Sequence, residues 1–122
     1  MRAMFAIFAF LAMTGTAHAA MNVSFDWGPT KKCFDDKSPP MKITGVPAGT
    51  KMLDVVMVDR DAPDFHHGGG KVAYQGQSLL PYGAFRYKGP CPPAPHRYRF
   101  TVKALDVAGK VLATASAEKR FP

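Results

Sequence analysis

The stretch Met52-Leu53-Asp54-Val55-Val56-Met57-Val58, running directly into Asp59-Arg60-Asp61-Ala62-Pro63, decides the fold. It is almost wholly apolar and rich in β-branched residues, and it has the length of a strand, so it predicts a central strand buried on both faces. Pro63 cannot donate to a ladder, and the strand must end before it. Downstream, His96 to Ala104 alternates Tyr98, Phe100, Val102 and Ala104 against Arg97, Arg99, Thr101 and Lys103, an amphipathic strand. Leu105 to Lys110 reads as a hairpin turn with Ala108-Gly109 or Gly109-Lys110 at its tip, and Val111 to Ala117 returns as the last strand. Upstream, Val23, Phe25 and Trp27 alternate with Asn22, Ser24 and Asp26, and Met41 to Thr44 forms a short strand before a turn-rich segment. Gly68-Gly69-Gly70 marks Asp64 to Lys71 as a loop, Val72 to Tyr74 as a brief strand at most, and Gln75 to Lys88 as irregular. No segment carries convincing helix caps. The expectation is an all-β antiparallel sandwich with little or no helix in the mature chain.

The bulk composition agrees with one compact domain. Apolar residues make up 47 % and charged residues 20 % of 122 residues, which excludes wholesale disorder. Lys and Arg number 16 against 9 Asp and Glu, a formal +7 that favours anionic partners. The basic residues are scattered through the sequence rather than clustered. No nucleic-acid motif accompanies them, so no nucleic-acid partner is expected.

The N-terminus carries an export signature. Arg2 precedes an apolar run from Ala3 to Met13, too short to span a bilayer comfortably, and Ala17-His18-Ala19 supplies a small-x-small cleavage site. Residues 1–19 therefore read as a cleaved signal peptide and residues 20–122 as a single domain, periplasmic or secreted, with no transmembrane segment. Export permits Cys33 and Cys91, the two cysteines of the chain, to pair; two free buried thiols are the alternative. Neither belongs to a C-x-x-C motif, which argues against redox or zinc chemistry.

Four polar clusters adjoin strands. Asp59 and Asp61 lie on one side of an extended backbone, either as caps, with Asp61 bonding the Ala62-Pro63 turn, or as ligand groups. His66-His67 sits in the glycine-rich segment, exposed or ligand-directed. Gly89 to Pro95 forms a rigid wall. His96 and Tyr98 share one face of their strand, and Arg97 takes the other.

Taken together, these motifs resemble a known family. Ser38-Pro39-Pro40, Gly45-Val46-Pro47-Ala48-Gly49-Thr50-Lys51 and Val58-Asp59-Arg60-Asp61-Ala62-Pro63 are similar to the front half of the phosphatidylethanolamine-binding family, more narrowly its bacterial Raf-kinase-inhibitor-like branch. Tyr87-Lys88-Gly89-Pro90-Cys91-Pro92-Pro93, His96-Arg97-Tyr98-Arg99-Phe100 and Ala104-Leu105-Asp106 resemble its second signature, and Val111-Leu112-Ala113-Thr114-Ala115 its closing strand. The resemblance implies a large and a small antiparallel sheet, with a small anion pocket at one edge that accepts phosphate or a phosphoryl headgroup. The positions it marks for ligand binding are Asp59, Pro63, His67 (or His66), Gly89, His96 and Tyr98. Imidazole N–H, tyrosine O–H and backbone N–H groups can donate to a phosphoryl oxygen, and Asp59 would act through a histidine that it orients. The chain departs from the pattern in a short Pro63-to-His66 link, in Gly68-Gly69-Gly70, and in a tight turn at Asp106 to Val111 where relatives often carry a longer segment with a helix.

The resulting expectation is an exported binding protein for a small anionic ligand or phospholipid headgroup, without a cofactor or a bound metal. The alternative is a secreted interaction or inhibitor protein, with a protein partner, that keeps the scaffold and has lost the pocket. Catalysis is not expected. Ser24, Ser38, Ser78 and Ser116 lie in no nucleophile setting, and Asp59, Asp61, His66, His67 and His96 lack a helix-borne H-x-x-x-H spacing.

Overall fold

The computed structural model describes residues 20–122; the signal-peptide reading of residues 1–19 lies outside the described residues. Seven strands run in chain order as β1 (Asn22–Phe25), β2 (Met41–Thr44), β3 (Met52–Asp59), β4 (His66–Ala73), β5 (Leu79–Leu80), β6 (His96–Leu105) and β7 (Val111–Phe121). There is no helix among the described residues. The strands form two antiparallel sheets, one in the order β1-β2-β5 and one in the order β4-β3-β6-β7. The expected mainly β sandwich is therefore what the chain builds.

The two sequences that announced the fold lie side by side. β3 and β6 pair from Met52↔Leu105 to Asp59↔Tyr98, so their inward sets, Leu53, Val55 and Met57 with Tyr98, Phe100, Val102 and Ala104, form one apolar layer. The small sheet closes over it with Phe25, Met41, Ile43 and Leu80. The Phe25 and Phe100 rings meet edge to face at 4.8 Å across the two sheets. The β6–β7 turn is held by Asp106, whose Oδ1 accepts the N–H groups of Ala108 and Lys110, both at 2.9 Å.

Four expectations are corrected. β3 is buried on one face only: Val56 is 43 % and Val58 36 % exposed, because no element among the described residues covers that side of the sheet. An antiparallel sheet tolerates this, and the β-branched residues there serve strand propensity rather than the core. The glycine-rich segment is strand β4, not loop. Gly69 pairs with Val56, and a Cβ at Gly69 would lie 1.8 Å from the Val55 carbonyl oxygen; one at Gly70 would lie 2.7 Å from Phe85 Cβ. The glycines are there because a backbone and a ring approach them. Finally, the irregular stretch contains β5, which pairs with β2, and the last strand runs on to Phe121.

Gly69→Ala should therefore destabilise the fold by about 3 kcal/mol, the upper part of the range for overpacking. Urea unfolding checks this, with unpaired β4 expected to show as rapid amide exchange from His66 to Ala73.

Candidate functional site

The end of β3, the start of β4 and the start of β6 come together at one edge of the large sheet, and the Pro-rich segment before β6 faces them. Between them lies a pocket of about 230 Å³. Its polar lining is Asp59, His67, His96 and Tyr98; its other walls are Phe34, Ala62, Phe65, Cys91, Pro92 and Pro93.

Asp59, 3 % exposed, is the pivot. Its Oδ1 accepts the N–H groups of Asp61 (2.9 Å) and Ala62 (3.1 Å), and its Oδ2 accepts from His96 Nδ1 at 2.7 Å. Cap and site-positioning group are thus one side chain. The expected roles are also exchanged: Asp59 bonds the Ala62 turn, whereas Asp61 Oδ2 accepts from Arg97 N at 2.7 Å. Burial pushes the Asp59 carboxyl upward, but the His96 hydrogen bond, the Asp61 N–H, the His96 charge and the Ala62 N–H outweigh it, and the carboxyl lies below its ordinary value.

His67, on β4, is buried, and its Nδ1 lies 2.6 Å from the carbonyl oxygen of Lys88. A carbonyl only accepts, so Nδ1 carries the proton, and the same reasoning fixes Nδ1 of His96 as the donor to Asp59. Each ring is left with Nε2 unclaimed by these bonds. Neutral, that atom accepts from a ligand O–H; protonated, it donates to an anion. Tyr98 is 1 % exposed, and its ring stands edge-on to His67 at 5.5 Å. Burial and then the nearby Asp59 charge push its hydroxyl above the ordinary tyrosine range, so at neutral pH it remains a donor.

The apolar wall has its own logic. Cys33 and Cys91 form a disulfide, 58 residues apart in sequence, so the pairing expected from export is present. The bridge sets Phe34, in a positive-φ conformation, beside the Pro92-Pro93 wall. The rings of Phe34 and Phe65 stack at 6.0 Å, with the Lys88 ammonium 4.8 Å from one and 4.7 Å from the other.

Of the marked residues, Asp59, His67, His96 and Tyr98 converge on the pocket. Pro63, His66 and Gly89 do not line it. His66 precedes His67 on a strand, so it takes the opposite face and is exposed. Pro63 is exposed in the turn after β3. Gly89 is buried against the main chain of Asp35, where a Cβ would meet the carbonyl oxygen at 2.2 Å; its lack of a side chain lets the wall come close. Phe34, Ala62 and Phe65 were missed. Only the neighbouring Cys33, once paired with Cys91, offered a signal for Phe34.

Asp59, Asp61 and His96 also bring potential metal-ligand atoms within 4.8 Å of one another. Asp59 is bonded to His96 Nδ1 and two backbone N–H groups, and Asp61 Oδ2 to Arg97 N; a metal taking Asp59 Oδ2 or His96 Nδ1 would have to break the bond between them.

The lowered Asp59 carboxyl has a stability consequence, shared by Asp35. For Asp35, burial pushes upward, and bonds from Tyr82 and Lys37 N with the Lys32 and Lys37 charges overcome it. A carboxyl that is more acidic folded than unfolded stabilises the fold above its unfolded value and loses that contribution as the pH falls through the folded one. Thermal melts should therefore fall as the pH drops below about 4, the ordinary carboxylate value. Asp59→Asn should flatten that fall.

No family model matches the sequence, and no curated protein matches it. Solved structures do. A phosphatidylethanolamine-binding protein homologue, CT736 of Chlamydia trachomatis, superposes with a TM-score of 0.65 at 22 % identity, over 84 % of this chain and 97 % of that one. E. coli YbcL, described as a member of the mammalian family of the same name, gives 0.62 at 22 % identity, over 84 % and 98 %. The chain thus has the fold of the bacterial phosphatidylethanolamine-binding proteins.

Proposed function

We propose that this protein is an exported member of the phosphatidylethanolamine-binding family, of its Raf-kinase-inhibitor-like branch, and that its pocket binds phosphate or a phosphoryl headgroup without catalysing a reaction. The observation that carries the reading is the convergence of His67, His96 and Tyr98 on one hollow, with both Nδ1 atoms committed elsewhere and Asp59 acting behind His96. A carboxylate facing a phosphoryl group would repel it; here Asp59 faces the imidazole and orients it. The names of the neighbours in structure support the headgroup chemistry, and the Cys33–Cys91 bridge supports an oxidising compartment.

Phosphate or phosphoethanolamine should raise the melting temperature, by on the order of 10 °C at saturating ligand. At a ligand concentration about a hundred times Kd, the stabilisation is about 2.7 kcal/mol. His96→Ala and Asp59→Asn should abolish that rise in proteins that still fold. A chain indifferent to every small anion would refute the reading. Stoichiometric zinc, copper or iron in the purified protein would point instead to metal chemistry at Asp59, Asp61 and His96.

A further inference from the structure

The basic residues that look scattered in sequence are gathered by strand register. Tyr98, Phe100, Val102 and Ala104 of β6 face the core, so Arg97, Arg99 and Lys103 face outward on the uncovered side of the large sheet. Register then sets Arg120 beside Arg97, Glu118 beside Arg99, and Asp54, with Lys71 beyond it, beside Lys103. Arg60, just past β3, reaches Glu118 at 3.5 Å, and Arg99 reaches the same carboxylate at 2.7 Å. One glutamate therefore serves two arginines. Arg97 and Arg120 are cross-strand neighbours of like charge, an arrangement that costs stability, and neither side chain has an acidic partner among the described residues. In the middle of the same face lie the exposed Val56 and Val58.

We propose that this face is a docking surface for a bilayer containing anionic phospholipid. Its cations outnumber its carboxylates and are spread over three strands, β4, β6 and β7, and over Arg60 just past β3, rather than along one line, which fits a charged surface better than a thread. Its centre is apolar, which fits the boundary between headgroups and acyl chains. The like charges argue against a second copy stacking there. Among the described residues the face carries no Phe, Tyr or Trp ring on which bases could stack, only the imidazole of His66, which argues against single-stranded nucleic acid. The surface is separate from the pocket, which lies on the inward side of the sheet edge.

The test is co-sedimentation of the purified protein with vesicles of phosphatidylcholine alone or with about one-third phosphatidylglycerol, at about 0.15 M and about 1 M salt. The protein should pellet with the anionic vesicles only, and high salt should release it. Arg97→Glu with Arg120→Glu should weaken binding roughly tenfold or more, and the anion-induced rise in melting temperature should survive. Arg97→Gln, which leaves no reversed charge to perturb folding, should give a smaller loss in the same direction. Equal pelleting with both vesicles, binding that resists salt, or variants that bind like the parent would overturn the proposal. So would an oligonucleotide that displaces the protein at a lower phosphate concentration than the vesicles supply, since the partner would then be a polyanion.

Discussion

Replacing Cys33 and Cys91 together with serine should lower the free energy of unfolding by about 4 kcal/mol. The bridge closes a loop with a sequence separation of 58, and an unfolded chain freed of it recovers the corresponding entropy. A domain of this size has roughly 5–15 kcal/mol in all, so the loss is a large share. Melting should fall on the order of 20 °C, at about 4–8 °C per kcal/mol. The effect also reaches the site. Cys91 lines the pocket, and Cys33 holds Phe34 against Pro92 and Pro93, so the reduced or substituted chain should bind anions more weakly even where it stays folded. Paired urea titrations of the parent and the double-serine chain measure the first effect, and anion-induced shifts measure the second. A difference of less than about 1 kcal/mol would mean that the denatured chain is compact enough to make the staple redundant.

The other large effect belongs to Phe100. It is completely buried, and its ring centroid lies 4.8 Å from Phe25, 5.8 Å from Tyr87, and 6.3 Å from both Phe85 and Trp27. These neighbours come from the small sheet, from the segments flanking it and from the chain leading to the Pro-rich wall, so no single rotation can refill the space. Phe100→Ala should cost about 3–5 kcal/mol, with Phe100→Leu costing clearly less. Both should show in the urea midpoint with little change in slope, as expected when the native state loses contacts and the unfolded state is unaltered. A cost for Phe100→Ala near that of an exposed substitution such as Leu79→Ala would contradict the packing described.

The fold was legible where side-chain alternation and burial coincide. β6 alternates cleanly because one of its faces meets the core and the other meets water. β3 was placed correctly but assigned a second buried face, since Val56 and Val58 are as apolar outward as Leu53 and Val55 are inward. Only the end of β4, at Val72 and Ala73, was legible as strand. The reason for Gly69 and Gly70 is the approach of Val55 and Phe85, both distant in sequence, and a glycine run by itself signals a turn. At the site, Asp59, His67, His96 and Tyr98 were marked by the motif resemblance; Asp59, His96 and Tyr98 stand at the ends of the two strands the alternation made legible, whereas His67 stands on β4, which was read as loop. Phe34 reaches the pocket only through a disulfide, and Phe65 through a turn held by the Ala62 carbonyl accepting from Phe65 N at 3.0 Å.

The central claim is that His67 and His96 present free Nε2 atoms to one shared anion. Nitrogen-detected NMR of the imidazoles, recorded while phosphoethanolamine is added, tests it directly. The account predicts that the Nε2 resonances of His67 and His96 move together along one saturating curve, and that His66, on the opposite face of β4, stays still. Movement of His66 alone, or no movement at all up to saturating ligand, would contradict it.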